Sequence, residues 1–211
     1  MTTLTRAPAP NSAMVACIER LTGLHARLCP RQVLGVRIGL YASELLQLEL
    51  PRDDKRVLVM VETDGCFADG VSAATGCWFG HRTLRLVDHG KVAATVVDTL
   101  SGQAVRVRPR AQARILAERF APHAANRWLA QLRGYQVMPA QQLLDWQWVS
   151  LTEPVEAIVG APGRTLCLLC DEEILNGREV RLPIGVICRS CAGDRYCVPV
   201  GTALAVPTHT G

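Results

Sequence analysis

Near the C-terminus stand two CxxC pairs, Cys167-Leu-Leu-Cys170 and Cys188-Arg-Ser-Cys191. Two such knuckles with a short spacer match the spacing of a tetrahedral four-sulfur zinc site, and that site dictates how the segment folds. Ordinary buried cysteines or disulfides are the alternative, but two pairs at this spacing rarely arise by chance. The spacer, Asp171 to Leu182, holds Asn176-Gly177 as a tight turn between two strand-like runs. With four sulfurs filling the shell, such a zinc is structural and leaves no open position for chemistry. Function has to be sought elsewhere in the chain.

A length of 211 residues accommodates one sizeable core and a small satellite module. Apolar residues make up 49% and charged ones 20%, which marks a folded globular protein. The net charge of +4 is too mild to require nucleic acid as a partner. The opening residues lack the apolar run of a secretory signal, and no apolar stretch is long enough to span a membrane. The chain is therefore expected to be cytoplasmic, away from membranes, with its nine cysteines serving as ligands, reactive thiols or small core residues.

The expected organisation is a loose N-terminus over 1–12, a main domain over 13–160, a zinc module over 161–197 and a tail over 198–211. Asn11 or Ser12 caps a helix reaching about Leu24, and a second helix starts at Pro30 and stops before Pro51. The β-branched run Arg56 to Glu62 reads as a buried strand. Val92 to Asp98 and Gln103 to Arg108 read as a hairpin, and Arg82 to Val87 as a further strand. Gly65 to Gly80 reads as a loop followed by a short helix. Helices are expected over Ala111 to Phe120, over Asn126 to Tyr135 and after Pro139, with a strand over Trp146 to Leu151. Trp128, Trp146 and Trp148 are expected in the core or at a dimer interface. Gly160-Ala-Pro-Gly163 is the natural linker to the zinc module. Helices and strands alternate without a βαβ rhythm, so the class is α+β, a mixed helix and sheet domain followed by a small zinc module.

Two stretches of the main domain concentrate reactive side chains: His25 to Arg31, and Glu62 to Gly70 running on to Cys77. His25, Cys29 and Cys66 can supply three ligands and leave a fourth position open, as in a catalytic zinc site. Asp69 can then orient a ligand or act as general base. Scattered His and Cys residues are also common as core or surface groups, and spacing alone does not separate these readings.

A resemblance adds to this. His25-Ala-Arg-Leu-Cys29-Pro30 followed by Gly35-Val-Arg37-Ile-Gly39 resembles the N-terminal signature of the formylmethanofuran dehydrogenase FmdE family. In matching order follow Cys66-Phe-Ala-Asp69, Thr75-Gly76-Cys77 with Gly80, Asp88-His-Gly90-Lys91-Val-Ala-Ala, and Val137-Met138-Pro139. The similarity covers most of residues 14 to 150, and a zinc-finger tail is also common in that family. The resemblance implies a compact α+β domain, an intertwined homodimer and a treble-clef zinc module. It also implies a metal at His25, Cys29 and Cys66, with Asp69 and Cys77 beside it; Cys66, Asp69 and Cys77 are the candidate catalytic groups. The chain departs from the family pattern at Arg27, where a second His is frequent, at Arg31 in place of Gly, and at Ser72, Trp78 and His81.

Three functions follow as expectations. The first is a metal-binding accessory protein for a molybdenum or tungsten oxidoreductase. The second is a stand-alone zinc hydrolase or thiol enzyme working at His25, Cys29 and Cys66, and the sequence leaves open whether the chain is an enzyme. The third, and least favoured, is nucleic-acid binding through the zinc module and the arginines from Arg106 to Arg114.

Overall fold

A computed structural model describes residues 11–23, 25–160 and 162–198. The chain divides into two compact units, Met1–Val155 and Glu156–Gly211, a division a few residues before the Gly/Pro linker. Most of the expected N-terminal segment and of the tail lie outside the described residues, as does Leu24.

The first unit packs helices on a mixed five-stranded sheet. Helix α1 (Ser12–Thr22) begins where the Asn11 side chain accepts a hydrogen bond from the Met14 amide at 2.8 Å. Helix α2 (Pro30–Leu46) has proline in its first turn and ends with Gln47 in the left-handed region, short of Pro51. It is the central helix: 11 of its 17 residues are buried, and it packs against α1, α3, α5 and the sheet. Strand β1 (Val57–Val61) follows, every residue buried, which is why it reads as an unbroken apolar run.

Helix α3 (Cys66–Thr75) comes next. The expected order of loop then helix is reversed here. The helix starts at once because Gly65, at φ 70°, turns the chain sharply, and the loop comes afterwards. Strand β2 (Leu84–Leu86) lies parallel to β1, and β3 (Ala94–Asp98) and β4 (Ala104–Pro109) form the expected hairpin. Helices α4 (Ala113–Phe120), α5 (Arg127–Val137) and α6 (Ala140–Leu143) lead into the edge strand β5 (Leu144–Val149). The sheet order is β2-β1-β3-β4-β5, antiparallel except for the first pair.

The core lies between one sheet face and α2 and α3, with Val59, Val96, Val105 and Val107 meeting Val33, Val36, Phe67 and Val71. Trp146 and Trp148 share that face through their pairing with Val107 and Val105, yet they stand on an edge strand and remain 42% and 50% exposed. Trp128 is 48% exposed. None of the three is a core residue, so the core reading is corrected. Cys17, by contrast, is 2% exposed and belongs to the core.

After α7 (Val155–Val159), the second unit holds two separate hairpins: β6 (Arg164–Leu166) with β7 (Glu173–Leu175), and β8 (Val180–Leu182) with β9 (Gly185–Ile187). Asn176 and Gly177 both adopt positive φ and turn the chain between β7 and β8. These strands do not pair with each other; each pairs outward with the strand that adjoins a CxxC. No helix follows the second knuckle among the described residues, so the helix that would complete a treble clef is not seen there. No helix among the described residues is long and apolar enough to cross a membrane.

Candidate functional site

Three glycines bring the reactive residues of the first unit together. A Cβ on Gly35 would stand 2.3 Å from the Phe67 carbonyl oxygen, and one on Gly70 would stand 2.1 Å from that of Gln32. On Gly39 it would meet the Ala74 methyl at 2.6 Å. Helices α2 and α3 therefore cross backbone to backbone, which only glycine permits at these points. The close crossing sets the starts of the two helices side by side. Cys29 caps α2 and Cys66 is the first residue of α3, so both thiols sit at helix N-termini, where the dipole favours anionic groups.

The structure brings the expected residues together as two pairs. His25 Nε2 lies 2.8 Å from Asp69 Oδ2, each side chain about one-third exposed. The Cys29 thiol lies near enough to Cys66 to perturb it. Burial pushes the Cys66 thiol up, and the Cys29 thiol, its charge and the Asp69 carboxylate add to this. Two adjoining thiols cannot both ionise easily unless a cation lies between them, so the donor set suits a soft or borderline metal. With Nε2 turned to Asp69, the nitrogen of His25 left to bind is Nδ1. The two pairs do not close into one shell, because His25, Cys29 and Cys66 do not all come within 4.8 Å of one another.

Cys77 stands apart from them. It lies past the far end of α3, a helix of 10 residues and thus about 15 Å long. Its thiol is 1% exposed and donates to the Val57 carbonyl at 3.4 Å, and burial pushes its pKa up. This is the setting of a core residue and not of a group that touches a substrate.

One residue escaped the sequence reading. Gln32 is fully buried, and its Oε1 accepts from the Cys29 amide at 2.7 Å while its Nε2 has no partner. Cys29 and Gln32 form a capping box, whose spacing of three residues is visible in the sequence. This bond fixes the Cys29 backbone and leaves one buried donor without a partner.

In the second unit, Cys167, Cys170, Cys188 and Cys191 form the one group of at least three His, Cys or acidic side chains, among the described residues, whose ligand atoms lie within 4.8 Å of one another. Thiolates about 2.3 Å from a tetrahedral zinc stand about 3.8 Å apart. The Sγ atoms of Cys170 and Cys188 are separated by 3.9 Å, which fits. The Cys188 amide donates to Cys167 Sγ and the Cys191 amide to Cys188 Sγ, both at 3.3 Å. Burial works against the Cys167 thiolate, but backbone N–H donors from Cys188, Leu169 and Cys170 outweigh it and hold the group down at about 6. The Cys188 and Cys170 sulfurs push Cys191 up to about 12. Four thiols so crowded need a bound cation to ionise together. Cys197 is exposed and outside the cluster.

Three of the four arginines of the third reading are tied within the first unit. Arg106 grips Glu62 with two nitrogens, at 2.5 and 2.7 Å, and Arg108 and Arg110 share Asp145 at 3.2 and 3.0 Å.

Comparison with known proteins agrees with this architecture. A tungsten formylmethanofuran dehydrogenase FmdE-like protein from Syntrophus aciditrophicus has the same fold. It shares 22% identity at a TM-score of 0.55, over 90% of this chain and 100% of that one. A protein of Archaeoglobus fulgidus described as a probable S-adenosyl-L-methionine-binding protein is 29% identical over 208 residues. That alignment takes in 90% of this chain but only 56% of the relative, so the chain spans about half of that protein's length. The family model described as FmdE, molybdenum formylmethanofuran dehydrogenase operon, matches residues 24–151, and the chain belongs to the FmdE family.

Proposed function

We propose that this chain is a metal-binding accessory factor for a molybdenum or tungsten oxidoreductase. Family membership supports the setting, and the meeting of Cys29 with Cys66 beside the His25–Asp69 pair carries the metal reading. The ligands would be the two thiolates and His25 Nδ1, with Asp69 orienting the imidazole. A metal held there supplies Lewis acidity or a transferable ion, with room for one further ligand. The helix N-termini favour the thiolates.

Asp69 already accepts from His25, which favours an orienting role over that of a general base in a stand-alone hydrolase. The four-cysteine cluster is the closed, structural zinc site. A homodimer belongs to the same proposal, supported by the exposed Trp146–Trp148 pair (centroids 5.6 Å apart) on the edge strand β5.

Two experiments test the proposal. Metal analysis should show a metal lost in Cys66→Ala while the four-cysteine zinc remains. Co-expression with a molybdenum- or tungsten-dependent oxidoreductase should raise that enzyme's cofactor content, and Cys66→Ala should abolish the gain. An unchanged enzyme with or without this chain would refute the accessory role.

A further inference from the structure

A cavity of about 300 Å³ opens where β4 runs into α4. Its rim carries Lys91, Arg106, Arg108, Arg110 and Arg114. Among the described residues, two carboxylates pair with these five cations: Glu62, gripped by Arg106, and Asp145, shared by Arg108 and Arg110. The side chains of Lys91 and Arg114 have no hydrogen bond or ion pair among the described residues, and both are exposed. So the rim keeps an excess of positive charge, with two cations held for no internal partner.

The floor differs from the rim. Leu34 from α2, Val92 and Ala93 line it, together with Tyr135, which is 1% exposed. The Tyr135 hydroxyl makes no hydrogen bond to a described residue. A phenol on a cavity wall is a donor for whatever enters.

We infer that this cavity binds a small phosphate ester, its phosphate held by Lys91 and Arg114 and its organic body resting on Leu34, Val92 and Tyr135. Guanidinium and ammonium groups are the side chains that best match phosphate oxygens. The apolar floor selects an ester over free phosphate. A volume of this size suits a small molecule, whereas nucleic acid needs an extended basic track, and three of the arginines that would form it are already paired. This site is separate from the proposed metal ligands, and neither depends on the other.

Calorimetry with phenyl phosphate and with inorganic phosphate, on the full chain, tests the inference. Phenyl phosphate should bind, and more tightly than inorganic phosphate. Arg114→Ala and Lys91→Ala should each weaken binding about tenfold or more, while Arg114→Lys should recover part of the loss. Neither residue has a partner to lose, so both variants should fold, as their circular dichroism would show. Cys66→Ala should leave binding unchanged even if it removes a metal. The inference is overturned if phenyl phosphate fails to bind, if it binds no better than phosphate, or if the Arg114 and Lys91 variants bind as well as the parent. It is also overturned if Cys66→Ala abolishes binding, or if single-stranded DNA binds more tightly with a steep salt dependence lost in the same variants.

Discussion

The two cysteine constellations of this chain are built in opposite ways. Cys167, Cys170, Cys188 and Cys191 come from two knuckles on adjacent short hairpins, and their four sulfurs close on one point. Cys29 and Cys66 lie far apart in the chain and meet only because α2 and α3 cross at Gly35, Gly39 and Gly70. A local shell depends on its metal for its fold, since the unit around it has only a small apolar cluster of Cys167, Ile174 and Ile187 with a few partly buried neighbours. A shell assembled by tertiary packing rests instead on the main core. On the proposed reading, difference in origin becomes difference in role: one metal would hold a fold, and the other would be held by one.

The sharpest break of this contrast comes from stripping the C-terminal metal. Cys170→Ser, or a strong chelator, should unfold residues 162–198 while the first unit keeps its melting transition. Amide hydrogen exchange would map the loss. If the first unit melted with it, the two would not be independent in stability.

Next in size is Gly70→Ala. A Cβ there meets backbone at 2.1 Å, with no flexible neighbour to yield, so the first unit should lose about 3 kcal/mol or more. Thermal or urea unfolding reads the loss, and the four-cysteine metal should be retained. A neutral substitution would mean that the crossing is looser than described.

Arg106→Ala should cost about 2 to 3 kcal/mol by leaving the Glu62 carboxylate without its partner, at 10% side-chain exposure. The same bond sets a pH dependence. Arg106 holds the Glu62 carboxyl below the usual carboxylate range, and Arg56 does so for Asp98. Both groups therefore stay ionised in the folded chain at pH values where the unfolded chain takes up protons. Their stabilisation is complete above the unfolded values of about 4 and is lost as pH falls through the lower folded ones. Urea midpoints measured from about pH 5 down to about pH 2 should fall for the parent and fall less for Arg106→Ala.

The smallest effect is expected from Asp69→Asn. The His25–Asp69 pair is partly exposed, so stability should change by less than about 1 kcal/mol. Metal affinity at the N-terminal site should drop by about tenfold to a hundredfold, because the imidazole loses its orienting acceptor. Competition with a chromophoric chelator would measure it. A stability loss with unchanged affinity would make Asp69 structural only.

How much can be read in advance follows the same contrast. The four-cysteine cluster is legible because its ligands are close in sequence and their spacing is itself the geometry. Helix starts at Asn11 and Pro30, and the β3–β4 hairpin, are legible from capping and β-branched runs. The α3 start is misread because a Gly, Ala and Ser-rich stretch looks like loop, while those small residues are what lets α3 press against α2. Trp146 and Trp148 are misread as core candidates since their position at the sheet edge is a property of strand order, which no local pattern encodes. Cys77 matches a motif, but a motif does not say which end of a helix faces solvent. Nor does spacing reveal that His25 pairs with Asp69 and Cys29 with Cys66, because both pairings depend on the helix crossing.

Metal content of the Cys167→Ser/Cys170→Ser double variant tests the central claim most directly. With the closed sulfur shell destroyed, a metal should remain bound to the full chain, and adding Cys66→Ala should remove it. A double variant that purifies without metal, and stays empty when metal is supplied, would contradict the N-terminal site and leave the four-cysteine zinc as the only one.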